Sequence, residues 1–267
     1  KARTIVKGTF KSDTKDIGIT VNGILADVIP EDSNRGTSNQ WIANNIPLTV
    51  GINTITATIK DSEGNVETST ITINTTDTSQ PVTLSANITS GIAPLQVFFS
   101  TSTSTFSPVS YQMDFEGDGI IDSTGATFED VTYTYTQEGI FYPTITVIDD
   151  QGNAYSDTIA ITVMNKAEID ALLKGKWEGM KGELVSGNID IAITFFEEET
   201  QEVYKKQFTA LKPVLNTIVN EMKQIILVRI EGNMAEYEII TTRNNVEYSF
   251  YLLLVKYKDG LWKISVF

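Results

Sequence analysis

Residues 114–122 read D-F-E-G-D-G-I-I-D, four carboxylates and two glycines in nine positions. Gly117 and Gly119 permit a sharp turn, because glycine takes positive φ without steric penalty. The flanks are strands. Leu84, Ala86 and Ile88 share one face, as do Leu95, Val97 and Phe99. Tyr133 and Tyr135 continue the alternation of Val131, and Ile159, Ile161 and Val163 close the segment. A two-residue period marks strands with one buried face, and short strands joined by turns make a sandwich. The polar stretch T-T-D-T-S-Q-P at 75–81 sets the start of this segment, so 80–164 reads as one all-β domain.

Composition bounds the chemistry. The chain has 267 residues, enough for two or three domains, and is 41% hydrophobic, enough for each to bury a core. It has no cysteine and no histidine, which excludes disulfides, thiolate metal sites, imidazole bases and any Ser-His-Asp triad. The net charge of −14 is uneven. Residues 80–164 hold ten acidic residues and no Lys or Arg, whereas 1–79 set seven basic residues against nine acidic and 165–267 set thirteen against fifteen. The middle segment therefore repels nucleic acid and anionic lipid and attracts cations. No apolar run reaches the length of a membrane span. With Lys1 in first place, the chain reads either as a protein freed of a leader or as a piece of a longer one.

Residues 1–77 are also all-β. Ile17, Ile19 and Val21 alternate with polar residues and meet the tight turn V-N-G at 21–23. Ile55, Ala57 and Ile59 alternate with threonines, and a final strand with Ile71 and Ile73 follows the turn D-S-E-G-N at 61–65. K-D-S-E-G-N at 60–65 is echoed by I-D-D-Q-G-N at 148–153, each before a Thr/Ile-rich last strand. Two tandem sandwiches that close with the same hairpin account for the echo.

The run from Val21 through W-I-A-N-N-I-P-L-T-V-G-I-N-T-I-T to Ile73 resembles bacterial immunoglobulin-like domains of surface proteins, carried by Leu48, Gly51, Asn53 and Ile55. The stretches A-P-L-Q-V-F-F-S, Y-Q-M-D-F-E-G-D-G-I-I-D-S-T-G and Y-T-Y-T-Q-E-G-I-F-Y resemble the polycystic-kidney-disease (PKD) repeat domain. Tyr111, Asp114, Phe115, Gly117, Asp118, Gly119, Tyr135, Gly139 and Phe141 fill that family's motif, with Met113 where a Trp is usual. The resemblance implies an extracellular spacer or interaction domain.

From Lys166 the pattern changes. Ile169, Leu172, Leu173, Trp177, Met180 and Leu184 stand at helical spacing, 188–196 reads as a second helix, and 198–222 as a longer one that Pro213 kinks or splits. Strands are expected near 225–231, 234–243, 246–257 and 261–267, with turns at Gly232-Asn233, Asn244-Asn245 and Asp259-Gly260. L-V-S-G-N-I-D-I-A-I-T-F-F and K-D-G-L-W-K-I-S-V-F give 166–267 a resemblance to the nuclear-transport-factor-like, cystatin-related cone superfamily. The expected fold is thus multidomain: two all-β immunoglobulin-like sandwiches followed by an α+β domain of three helices and a curved antiparallel four-stranded sheet.

Two site expectations follow. Asp114, Glu116, Asp118 and Asp122 have the one-three-five-nine spacing of an oxygen-ligand loop, which suits Ca2+, although position twelve is Gly125 rather than Glu. The alternative is that these residues are the turn chemistry of the fold. Asp149 and Asp150 would add ligands only if folding brought them near. In the C-terminal domain the cone resemblance offers Asp190, Tyr204, Glu236, Tyr237 and Tyr248 as acid/base groups of a cavity, but without His or a compact motif a packed interior is expected. No catalytic residue is assigned. The expectation is a non-catalytic, secreted or surface-attached bacterial protein whose partner is another surface protein, an appendage or filament, or a polysaccharide, and which binds no nucleic acid. The alternatives are a ligand-binding or catalytic C-terminal domain, and a structural subunit of an extracellular filament.

Overall fold

The computed structural model describes residues 2–29, 39–104, 106–243 and 245–267. The chain forms two compact units, Lys1–Met164 and Asn165–Phe267.

The first unit opens with a sandwich in which the described residues form seven strands: β1 (Arg3–Thr9), β2 (Ile17–Val21), β3 (Ile24–Leu25), β4 (Asp27–Ile29), β5 (Gln40–Pro47), β6 (Gly51–Asp61) and β7 (Val66–Thr75). One sheet has the order β1-β5-β4, the other β3-β2-β6-β7. Asn22 and Gly23 take φ of 49° and 81°, the double positive φ of the expected tight turn. Ile17, Ile19, Val21, Ile46 and Ile55 are buried in the core and Ala57 and Ile59 pack against it half-buried, whereas Ile71 and Ile73, expected on the same pattern, are exposed.

The second sandwich runs through β8 (Val82–Ala86), β9 (Ser90–Ile92), β10 (Leu95–Thr103), β11 (Pro108–Asp114), β12 (Ser123–Gly125), β13 (Thr132–Tyr135), β14 (Gly139–Phe141), β15 (Thr144–Asp149), β16 (Ala154–Thr158) and β17 (Ile161–Met164). Its sheets are β13-β10-β8 and β12-β11-β15-β16, with β17 between β14 and β9. Leu84, Leu95, Val97, Phe99, Met113, Tyr135, Ile145, Val147, Ile161 and Val163 form a separate core. Met113, in the place usual for Trp, is 2% exposed, so the smaller side chain still fills the centre.

The two sandwiches meet through polar contacts. The Asn44 amide donates to Ala160 O at 2.9 Å and its Oδ1 accepts from Ala160 N at 2.8 Å. Asp157 Oδ2 accepts from Arg3 Nη2 at 2.9 Å and from Leu84 N at 2.7 Å, and Arg3 also donates to Leu84 O. The Lys7 ammonium lies 4.9 Å from the centre of the Tyr142 ring.

The second unit holds α1 (Lys166–Val185), α2 (Ile189–Ala192) and a 3-10 turn at Ile193–Phe195. Then come α3 (Glu198–Leu211), α4 (Leu215–Glu221) and the antiparallel meander β18 (Gln224–Glu231), β19 (Met234–Arg243), β20 (Val246–Lys256) and β21 (Trp262–Val266). Asn165 caps α1 by accepting from Glu168 N at 3.1 Å. The expected long helix is two helices, broken around Pro213, which has no N–H to continue the ladder. Asn244 of the expected Asn244-Asn245 turn lies outside the described residues; Asn245 takes φ 61°. Trp177, Phe196, Tyr204, Phe208 and Phe267 form an aromatic cluster, with Phe196–Tyr204 centroids 4.2 Å apart in a tilted pair and Trp177–Phe267 centroids 5.1 Å apart edge-to-face.

Candidate functional site

The acidic loop leaves the buried end of β11 and returns through β12. Asp114 is 6% exposed and turns its carboxylate into the loop. Its Oδ1 accepts from Gly117 N at 2.6 Å and Glu116 N at 3.2 Å, and its Oδ2 from Gly119 N at 2.8 Å. Asp122 Oδ2 accepts from Phe115 N at 2.7 Å, and Asp118 Oδ1 from Ile120 N at 2.8 Å. Each aspartate thus binds backbone N–H groups that the turn takes out of the strand ladder. Gly117 has φ +77°, and a Cβ there would lie 2.6 Å from Tyr142 O, so only glycine fits.

Glu116 does something different. Its Oε1 accepts from Tyr133 Oη at 2.5 Å, and Tyr133 stacks on Phe115 at 4.6 Å. The hydrogen bond to Glu116, then burial, then the carboxylate charge push the Tyr133 phenol up to about 12. Tyr135 Oη donates to Phe115 O at 2.7 Å, and burial raises its ionisation further. The loop is therefore anchored from both sides while its tip, with Ile120 and Ile121, is exposed.

The four residues of the expected calcium loop lie in one turn, but their oxygens are directed at different backbone and phenol donors. Among the described residues no three acidic side chains converge as a ligand set. Asp149 belongs to another turn: its Oδ1 accepts from Gln151 N and Asn153 N at 2.9 and 2.8 Å, and its Oδ2 from Asn153 Nδ2 at 2.9 Å. Asp61 does the same with Glu63 N, Asn65 N and Asn65 Nδ2 at 3.0, 2.9 and 2.7 Å. The sequence echo is a repeated hydrogen-bond network. In both, the Asn side-chain donor is the chief cause holding the Asp carboxyl below its ordinary value.

The C-terminal candidates do not come together. Asp190 is an exposed partner of Lys205 at 2.6 Å, and Glu236 pairs with Arg229 at 2.8 Å. Tyr248 is exposed, and Tyr204 is buried with its hydroxyl accepting from Phe267 N at 3.1 Å. Tyr237 is buried and donates to Asp170 Oδ1 at 3.0 Å, a pair that sequence spacing did not reveal; burial and the Asp170 charge raise its ionisation. Phe196, Trp262 and Ile264 are buried, and Phe195 is half-buried against Gly179.

Comparison with curated proteins gave no match. Among solved structures, the PKD1 domain of the Vibrio cholerae metalloprotease PrtV shares 30% identity, covering 32% of this chain and 95% of that one, with a TM-score of 0.25. Fibronectin(III)-like modules of Clostridium thermocellum CbhA share 17% identity over 61% of this chain and 87% of theirs, TM-score 0.24. The Yersinia pseudotuberculosis adhesin InvE shares 13% over 60% and 54%, TM-score 0.21. No helix among the described residues is long and apolar enough to cross a membrane. Residues 78–163, which contain the acidic loop and the second core, match the family model described as the PKD domain.

Proposed function

We infer that this is a non-catalytic bacterial surface protein whose sandwiches space and present a binding surface to another surface or filament protein, or to a polysaccharide, outside the cell. The carrying observation is the PKD-matching sandwich, on which a rigidly anchored loop exposes Ile120 and Ile121 beside Asp118. A surface ready before binding loses little conformational entropy on contact. Ten acidic and no basic residues in 80–164 favour a cationic or neutral partner surface. The aromatic cluster inside the C-terminal unit supports a packing role there over catalysis.

The test is binding of the full chain to a polysaccharide array and to immobilised surface-protein fractions, with the double variant Ile120→Ser, Ile121→Ser beside it. Saturable binding that falls at least about tenfold in the variant supports the reading. Binding that is unchanged in the variant, or turnover of a bound glycan, overturns it.

A further inference from the structure

β7 is the last strand of its sheet and, among the described residues, pairs only with β6. It is ten residues long, and all but its last residue are exposed. Its single charge is Glu67, and it contains no Pro and no Lys. Such a strand offers a row of unpaired backbone groups, which proteins ordinarily guard with charge, bulges or brevity. The neighbouring edges are guarded. β1 has a register shift between Thr4 and Val6, and its Arg3 and Lys7 bond to the second sandwich. β3 and β4 are two and three residues long.

The direction of the free groups follows from β6. Thr56 N–H donates to Asn22 Oδ1 at 2.8 Å, and Thr56 O accepts from Asn22 N at 2.9 Å, so Thr56 spends its backbone on the side away from β7. Its partner across the ladder is Thr70, which therefore sits in a non-hydrogen-bonded pair and aims its N–H and C=O out of the sheet. By alternation Thr68 and Thr72 do the same. Ile71 faces the core side with its partner Ile55 and is 52% exposed. It borders a cleft of about 370 Å³ between β1 and β7, lined also by Phe10, Trp41, Ile55 and Ile59.

We propose that a second copy of this chain covers that edge, by antiparallel pairing of β7 with β7 across a two-fold axis at Ile71. This goes beyond the binding role of the acidic loop and does not depend on it. The register pairs Thr70 with Thr72 and Thr68 with Asn74 through the outward groups. It keeps the Ile71 face of both strands on one side, over the two clefts. A shift by one residue would send those side chains to the opposite face. The charge pattern fits a second copy: the two Glu67 carboxylates fall at opposite ends, about 27 Å apart, each beside uncharged Thr75. An isologous contact closes at two copies and leaves no β7 edge open to a third.

The chain has no cysteine, so a single introduced thiol reports the contact without background. In the full chain, Ile71→Cys places two thiols in a non-hydrogen-bonded pair with Cα atoms about 4.5 Å apart, within disulfide reach. It should give a covalent dimer on mild oxidation, while Val50→Cys, more exposed but off the strand, should not. Sedimentation from about 1 µM to about 1 mM should show a monomer–dimer equilibrium that Thr70→Pro abolishes, because Pro removes an outward N–H and leaves the β6 ladder intact. Should Thr70→Pro unfold the hairpin, Ile71→Lys supplies the same reading. A monomer at every concentration, or a dimer indifferent to these substitutions, overturns the proposal. Loop binding that survives Thr70→Pro separates the two surfaces.

Discussion

At the scale of the residue, Asp114 carries the middle sandwich's acidic loop. One buried carboxylate satisfies three backbone donors, so Asp114→Ala leaves them without an acceptor. Loss of hydrogen bonds to a charged group should cost about 3 kcal/mol or more, read as a fall in the denaturation midpoint. Tyr133 makes a second prediction. Its phenol is raised to about 12, above an unfolded value of about 10, so its contribution is complete below about pH 10 and is lost as pH rises through about 12. Glu116→Gln should bring the Tyr133 titration back toward about 10, measured by phenolate absorbance. The sequence showed that these residues form a turn and which glycines it needs. It did not show that Asp114 points inward, because the one-three-five-nine spacing is shared by a ligand loop and by a loop whose aspartates bind their own amides. Unfolding of the full chain with calcium and with chelator separates the two. Superimposable curves are expected from the turn geometry; a metal site would add about 2.7 kcal/mol at a hundredfold excess over Kd.

At the scale of the element, the two D-x-x-G-N hairpins are the clearest units. Asp61 and Asp149 are both depressed in the folded state, chiefly by the Asn side-chain donor. The stability they confer is present above the unfolded carboxyl value near 4 and is lost as pH falls through their lower folded values. Asp61→Asn combined with Asp149→Asn should therefore lower the melting temperature at neutral pH and flatten its decline in acid. These hairpins were readable because every interaction in them is local. So were the alternating strands and the break at Pro213. The partners of the C-terminal polar residues were not readable. Asp190, Glu236 and Tyr237 look equivalent in sequence, yet the meander sends Glu236 to Arg229 and Tyr237 to Asp170, since neighbouring residues of one strand face opposite ways.

At the scale of the whole molecule, the decisive contact joins positions 116 apart: Asn44 to the backbone of Ala160. Nothing in the spacing of either residue announces it. Asn44→Ala would strand a buried N–H and C=O of Ala160 and should cost about 2–4 kcal/mol. The loss should appear in both sandwiches together if the joint couples their unfolding, checked by comparing amide hydrogen exchange in β5 and in β15 along one urea titration. Tryptophan fluorescence alone would miss the middle domain, because of Met113. With methionine in the motif's usual Trp place, the three tryptophans are Trp41 in the first sandwich and Trp177 and Trp262 in the C-terminal unit. The PKD-matching sandwich is silent in red-edge fluorescence, so emission excited there reports on its neighbours alone. A tryptophan placed at Met113 would become the one red-edge emitter at the centre of the middle domain.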